Sequence, residues 1–348
     1  MAGRRRIRLL LAFVVGAGAL VPVASGQAVA AVEPGRPSSG ASELSAEARV
    51  MSTDHGAALE AYWTEERRAT AEQVELPTLT EEEAGRGEQE PAGEPGRSVR
   101  RQASPPGPRP VEDPSAVSGF GDLGQPWPYR GDEPATTIGR VYYYDATAKK
   151  NKWCSATVVD ADSNRLVWTA GHCIHGGGSS KKWHQNWIFY PHYRNGVDPA
   201  YGWWYAEQLW SWSKWIDGGN YSYDFGAAVM APKPGGQRIA SVTGGQGLAW
   251  NYSKNGYVHN FGYPAEWPFN GMTLQYCFGG TWASGADVGM KCNMTGGASG
   301  GPWLGWFDGW NGWVNGNNSY KITWDPTRMF SPYYGNAVGN LYSSVQWR

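Results

Sequence analysis

What most constrains this chain is the punctuation of its last two-thirds. From about Trp127 onward, short apolar runs alternate with turn signals. The runs include Gly139-Arg140-Val141-Tyr142-Tyr143-Tyr144, Ser155 to Val159, Leu166 to Thr169, Phe225 to Met230, Gly256 to Phe261 and Trp313-Val314. Between them fall Gly176-Gly177-Gly178, Gly218-Gly219, Pro234-Gly235-Gly236 and Asn317-Asn318. Runs this short fill strands, and the glycines and asparagines supply tight turns. The pattern predicts an antiparallel sandwich or barrel. The 48 Gly and 20 Trp suit strands and turns better than long helices. No repeat of about 20–50 residues is present, which argues against a propeller.

The beginning of the chain reads differently. Arg4, Arg5, Arg6 and Arg8 precede an apolar run from Leu9 to Val23, and Ala28-Val29-Ala30 offers a small-residue cleavage site. Residues 1–31 are therefore expected to be a signal peptide, and the protein to be secreted. The run is too short and too rich in Gly and Ala for a membrane anchor, so no stable membrane association is expected. Four Cys in an exported chain imply disulfides. Three pairings are possible. The sequence-local one, Cys154–Cys173 with Cys277–Cys292, is the simplest, and each bridge would contribute about 3 kcal/mol by restricting the unfolded chain.

Residues 32–115 hold no Cys, few aromatics and many Glu, with Pro and Gly abundant in the second half. Such a segment cannot bury enough apolar surface to fold alone. It is expected to be a propeptide or a low-complexity linker, largely disordered or helical. Ala46 to Glu75 is helix-prone, with Leu59, Tyr62 and Trp63 at helical spacing. Arg100-Arg101 is a plausible processing point. The folded domain is expected at 116–348. A net charge of −1 argues against nucleic acid as a partner.

Three segments carry chemistry. Thr169-Ala170-Gly171-His172-Cys173 follows an apolar strand and leaves an imidazole at its end. Tyr223-Asp224-Phe225-Gly226-Ala227-Ala228-Val229 opens a strand with an acid. Thr295-Gly296-Gly297-Ala298-Ser299-Gly300-Gly301-Pro302 sets a serine among glycines, which allow positive φ and free N–H groups to meet a developing oxyanion.

In these blocks the chain resembles the chymotrypsin-like serine peptidases, and within them secreted bacterial members of the glutamyl-endopeptidase-like kind. The Thr169–Cys173 block matches the family's histidine motif in full. The Gly297–Pro302 block matches its serine motif except at one position, and the order His, Asp, Ser also matches. The resemblance covers roughly residues 127–348. It implies an all-β fold of two six-stranded antiparallel barrels with the active site between them. It assigns Ser299 as nucleophile, His172 as general base and Asp224 as its partner, with the N–H groups of Gly297 and Ser299 as oxyanion hole. Protein or peptide substrates, no cofactor, no metal and a monomer are the matching expectations.

Two departures matter. Ala298 stands where trypsin-like zymogens carry the Asp that pairs with a freed N-terminal amine, so activation is expected to proceed without such an amine. Asn293 stands where trypsin-like relatives carry a basal Asp, which removes the case for Arg or Lys preference. Thr295 and a wall running from Asn315 to Ser319, with Asn315, Gly316 and Asn317 as pocket residues, are the expected donors of the substrate pocket. Glutamate-preferring relatives place a His on that wall, and this chain has none there.

Rival readings are weaker. Gly297-Ala298-Ser299-Gly300-Gly301 also fits the α/β-hydrolase elbow, but no His follows Ser299. Zinc held by Cys154, His172, Cys173 and His175 competes with a disulfide in an exported chain. Trp-rich stretches such as Trp203-Trp204-Tyr205, Trp210 to Trp215 and Trp303 to Trp313 would also suit a catalytically weak relative that binds peptides or carbohydrate.

Overall fold

A computed structural model describes residues 35–85, 87–99, 121–129 and 131–348. The signal peptide, the Arg100-Arg101 pair and the 115/116 boundary lie outside the described residues.

The N-terminal segment contributes short elements: β1 (Pro37–Ala41), α1 (Ala46–Arg49), α2 (His55–Tyr62), α3 (Glu65–Thr70), β2 (Glu72–Gln73), β3 (Thr78–Leu79), α4 (Glu81–Gly85) and β4 (Gly96–Arg97). A further strand, β5 (Gln125–Pro126), precedes the main body. The helix-prone stretch splits into three helices because each has its own N-cap. Ser45, Asp54 and Thr64 accept from the N–H groups of Ala48, Ala57 and Arg67.

The first half of the body is a closed barrel of β6 (Ile138–Asp145), β7 (Lys150–Val159), β8 (Leu166–Thr169), β9 (Gln185–Pro191), β10 (Trp204–Trp212) and β11 (Gly226–Met230). All neighbours are antiparallel, in the order β10-β11-β8-β7-β6-β9, and pairing of β9 with β10 closes the ring. Val141, Cys154, Ala156, Val158, Val167 and Phe189 fill its interior, as the two-residue alternation of a strand requires. Helices α5 (Ser213–Gly218) and α6 (Ala240–Thr243) connect the strands that follow.

The second half comprises β12 (Gly247–Trp250), β13 (Tyr257–Gly262), β14 (Gln275–Ser284), β15 (Asp287–Lys291), β16 (Pro302–Gly305), β17 (Trp313–Asn317), β18 (Tyr320–Ile322) and β19 (Asp325–Ser331), followed by α7 (Asn336–Val345). Its order is β18-β19-β15-β14-β13-β16-β17-β12. These strands form one large sheet rather than a second closed six-stranded ring. The two end strands do not pair with each other: β18 takes β3 as neighbour and β12 takes β4. The ten-residue β14 spans the bend, pairing with β13 over its first part and β15 over its last.

The N-terminal segment is thus ordered along 35–99 by borrowing sheet edges. Besides β3 and β4, strand β1 adds to β10 and β2 adds to β7. Leu59, Tyr62 and Trp63 are buried, and Trp63 Nε1 donates to the Asn186 carbonyl at 2.7 Å. The segment lacks a core of its own, as its composition indicates, but it completes the body's core. Gly35–Arg348 forms one compact unit.

The Trp-rich stretches are mostly core. Trp204, Trp210, Trp212, Trp215 and Trp303 are all buried, so they offer no exposed stacking platform. Among the described residues, no helix is long and apolar enough to cross a membrane.

Candidate active site

Strand β8 ends at Thr169, and a 3-10 turn over Gly171–Cys173 carries His172 off its end. Cys173 is bonded to Cys154 on β7, which ties the turn to the barrel wall. Asp224 follows a second 3-10 turn, Tyr221–Tyr223, just before β11, and is fully buried. Its carboxylate accepts from His172 N at 2.7 Å and from His172 Nδ1 at 2.7 Å. Ser319 Oγ donates to it at 2.5 Å. A carboxylate only accepts, so Nδ1 carries the imidazole proton and Nε2 is left basic. Gly171 makes this approach possible: a Cβ there would lie 3.0 Å from Asp224 Oδ1 and 2.8 Å from the Trp215 ring.

Ser299 lies between Gly297 at φ +90° and Gly300 at φ +77°. Both glycines are needed for space as well as backbone. A Cβ on Gly297 would meet the Trp153 ring at 2.4 Å, and one on Gly300 would meet Thr169 Oγ1 at 2.0 Å. The serine loop therefore packs on the stretch that leads into His172. Ser155 N donates to the Ser299 carbonyl at 2.8 Å, and Ser155 Oγ to the Gly297 carbonyl at 2.9 Å. Ser299 Oγ and His172 Nε2 are both buried, and neither has a hydrogen-bond partner among the described residues. Catalytic hydrogen bonds are often long until substrate arrives.

The triplet Asn317-Asn318-Ser319, whose first two residues read from sequence as a turn signal, is almost wholly buried and joins the two halves of the site. Asn317 Nδ2 donates to the Asp224 carbonyl at 3.2 Å. Asn318 Nδ2 donates to the Ala298 carbonyl at 2.9 Å, and Gly300 N donates to the Asn318 carbonyl at 2.8 Å. The only signal for this in the sequence was three consecutive polar residues beside strands.

The residues expected to line the pocket have these places. Asn315, Gly316 and Asn317 belong to β17. Asn315 Nδ2 donates to the Ala249 carbonyl, Gly316 packs on Ser331 and Trp303, and Asn317 is turned to Asp224. The strand that emerges beside the serine loop is β18, reached only after Ser319. Asn293 Oδ1 accepts from Gly124 N at 2.6 Å, and Thr295 Oγ1 accepts from Glu266 N at 3.1 Å. The four residues Asn293, Thr295, Asn315 and Asn317 all have protein partners for the groups just named. The zinc alternative also loses its ligands, because both sulfurs beside His172 are consumed in the disulfide.

No family model and no curated protein matches the sequence. Solved structures do. The chain is similar to the protease Anisep from Arthrobacter nicotinovorans at 34% identity and a TM-score of 0.59, over 65% of this chain and all of that one. It is similar to the thermostable serine protease AL20 from an extremophilic microorganism at 34% identity and a TM-score of 0.56, over 61% of this chain and 97% of that one. The chain belongs to the chymotrypsin-like serine peptidases. A Glu endopeptidase, at 14% identity and a TM-score of 0.53 over 65% of this chain and 97% of that one, shares the fold.

In this peptidase the N-terminal segment runs through the cleft. Val74 N donates to the Trp153 carbonyl at 2.9 Å, and the Val74 carbonyl accepts from Gly297 N at 2.8 Å. Three residues on, the Pro77 carbonyl accepts from Lys321 N at 2.8 Å. The segment pairs parallel to β7 on one side of Ser299 and parallel to β18 on the other.

The peptidase also buries a second imidazole that the sequence did not distinguish. His184 Nε2 donates to the His172 carbonyl at 3.0 Å, and its ring stacks on Tyr143 at 4.1 Å. Desolvation pushes its pKa down from 6.5 to about 4, against the opposing charge of Asp145. The folded state keeps His184 neutral, so its contribution is fully present above pH 6.5. It is lost as pH falls from 6.5 to 4, because the unfolded chain takes up the proton first. At about 1.4 kcal/mol per pH unit the loss reaches about 3 kcal/mol. In denaturant unfolding, His184→Gln is expected to flatten that part of the pH profile relative to the parent chain.

Proposed function

We propose that this chain is the precursor of a secreted serine endopeptidase that works through Ser299, His172 and Asp224. The observation that supports the reading is the Asp224–His172 pair beside the serine loop. Asp224 is bonded to His172 Nδ1 at 2.7 Å, while His172 Nε2 and Ser299 Oγ are both buried and without a hydrogen-bond partner among the described residues.

In this reading Ser299 Oγ attacks the scissile carbonyl carbon and its proton passes to His172 Nε2. The carbonyl oxygen becomes an oxyanion held by the N–H groups of Gly297 and Ser299. Collapse breaks the C–N bond as His172 returns the proton to the leaving amine. Water then enters by the same route and frees Ser299 from the acyl group. Asp224 holds the imidazole tautomer and balances the imidazolium.

Ser319 is a positioning residue for Asp224. A hydrogen bond to a charged group is worth about 1.5–3 kcal/mol, so Ser319→Ala is expected to lower kcat about ten- to a hundredfold. KM should change little, since Ser319 meets Asp224 and not the peptide. Steady-state kinetics on the variant check this.

Activation without a buried N-terminal amine is supported by how the serine loop is held. Ala298 is buried with no charge to satisfy, and its carbonyl accepts from Asn318 Nδ2 and Gly301 N. The precursor reading is supported by Val74, whose carbonyl takes the Gly297 N–H that a substrate would need. Removal of the N-terminal segment would free that donor. Substrates are proteins or peptides in extended form, matched to the free edges that β2 and β3 now cover. The test is cleavage of a diverse peptide mixture by the processed secreted chain, read by mass spectrometry. New termini that vanish in Ser299→Ala support the function; an unchanged mixture overturns it.

A further inference from the structure

The segment in the cleft reports the chemistry of the pocket beside Ser299. Between the Val74 carbonyl on Gly297 N and the Pro77 carbonyl on Lys321 N lie only Glu75 and Leu76. Leu76 is therefore carried between the serine loop and β18. It is buried, and it joins an apolar cluster with Met294, Ala298, Met290, Met329 and Val258. Ala298 is the residue before Ser299, so this cluster reaches the residue next to the nucleophile. The Cys277–Cys292 disulfide belongs to the same cluster and braces it.

The polar groups around the cluster are occupied. Asn293 and Thr295 are bonded as described above. Lys321 Nζ donates to the Pro326 carbonyl, and Glu266 Oε1 accepts from Gly296 N. Asn260 is the exception. It shares the inner face of β13 with Val258, is fully buried, and its amide has no partner among the described residues. An amide N–H is the one group on that face that would favour a carboxylate.

We infer that the pocket takes an unbranched or γ-branched aliphatic side chain, leucine or methionine, as the residue before the cleaved bond, and that Leu76 fills this pocket in the precursor. Three methionines supply soft, adaptable walls that fit such side chains. A carboxylate or guanidinium placed there would lose its hydration, and the Lys321 and Glu266 charges named above are already engaged by the Pro326 carbonyl and Gly296 N. The inference rests on Ser299 as nucleophile, and its test separates the two.

The full-length chain provides its own probe. Leu76→Met, Leu76→Glu and Leu76→Arg are made in the complete protein, with thermal melting and both disulfides verified. The rate at which a fluorophosphonate modifies Ser299 is read by mass spectrometry, with Ser299→Ala as blank. Leu76→Met should label as slowly as the parent chain, while Leu76→Glu and Leu76→Arg eject the segment and label at least tenfold faster. Peptide substrates offered to the Leu76→Arg chain should then be cleaved after Leu or Met at least tenfold faster than after Glu or Arg. If Leu76→Glu stays as protected as the parent, or cleavage follows Glu, Asn260 has made this a carboxylate pocket and the inference is overturned while the nucleophile stands. If Glu and Arg variants label no faster and cleave nothing, Leu76 is not the occupant and the inference fails. Failure of every chain to label at Ser299 removes the catalytic reading as well.

Discussion

Replacing Ser299 by alanine is expected to lower peptide turnover on the order of a millionfold while leaving the fold intact. The effect is large because the proposed mechanism routes attack on the peptide through this hydroxyl. Ser299 Oγ is the hydroxyl framed by Gly297 and Gly300, and both glycines are fixed by positive φ and close contacts. The fold should survive because Ser299 Oγ makes no hydrogen bond among the described residues, so its loss leaves no partner stranded. The backbone carbonyl still accepts from Ser155 N and continues to hold the loop. Steady-state hydrolysis of one peptide, compared at equal folded concentration, measures the loss. What remains is the rate supplied by peptide binding and the Gly297 N–H.

Asp224→Asn is expected to cost about ten-thousand-fold in kcat, the size measured for the same exchange within the family. The local geometry explains why a neutral isostere fails. The carboxylate faces three donors: His172 N, His172 Nδ1 and Ser319 Oγ. An asparagine offers one oxygen and one NH2. At least one donor then faces another donor in a fully buried site. The relief available is for the imidazole to move its proton to Nε2, which accepts the asparagine N–H at Nδ1 and removes the basic nitrogen from the serine side. Raising pH should recover part of the rate, since hydroxide can replace the lost base, whereas the parent enzyme gains far less. A kcat profile from pH 6 to about 10 distinguishes this tautomer loss from simple misfolding, which no pH would rescue.

The site was more legible in the sequence than its surroundings because its motifs are local. Thr169 to Cys173 and Gly297 to Pro302 each place a reactive group by turn geometry within five or six residues, and small residues at fixed positions leave a written trace. Asp224 was legible as an acid at the mouth of an apolar run. The clamp Asn317-Asn318-Ser319 was not, because its three partners, Asp224, Ala298 and Gly300, are distant in the chain and a buried polar triplet looks like any turn. Asn315, Gly316 and Asn317, read as part of a wall running to Ser319, lie on β17, and the chain reaches β18 only after Ser319.

The fold class followed from strand-length runs and turn residues, yet ring closure did not. Whether end strands meet depends on which other segments take their edges, and β3 and β4 are two-residue strands with no periodicity to detect. The N-terminal segment shows the same limit. Its composition predicts no core of its own, but composition cannot say that β1, β2, β3 and β4 each pair with a strand of the body, or that Leu76 is buried.

The central claim is that Ser299 is the one activated hydroxyl of this chain, and covalent labelling tests it most directly. The protein, with its N-terminal segment removed, is treated with a fluorophosphonate and digested, and every modified residue is mapped by mass spectrometry. One adduct on Ser299 is expected, absent from Ser299→Ala and strongly slowed in His172→Ala. A folded, disulfide-intact, processed chain whose Ser299 stays unmodified, or whose adduct sits on another serine, would contradict the account.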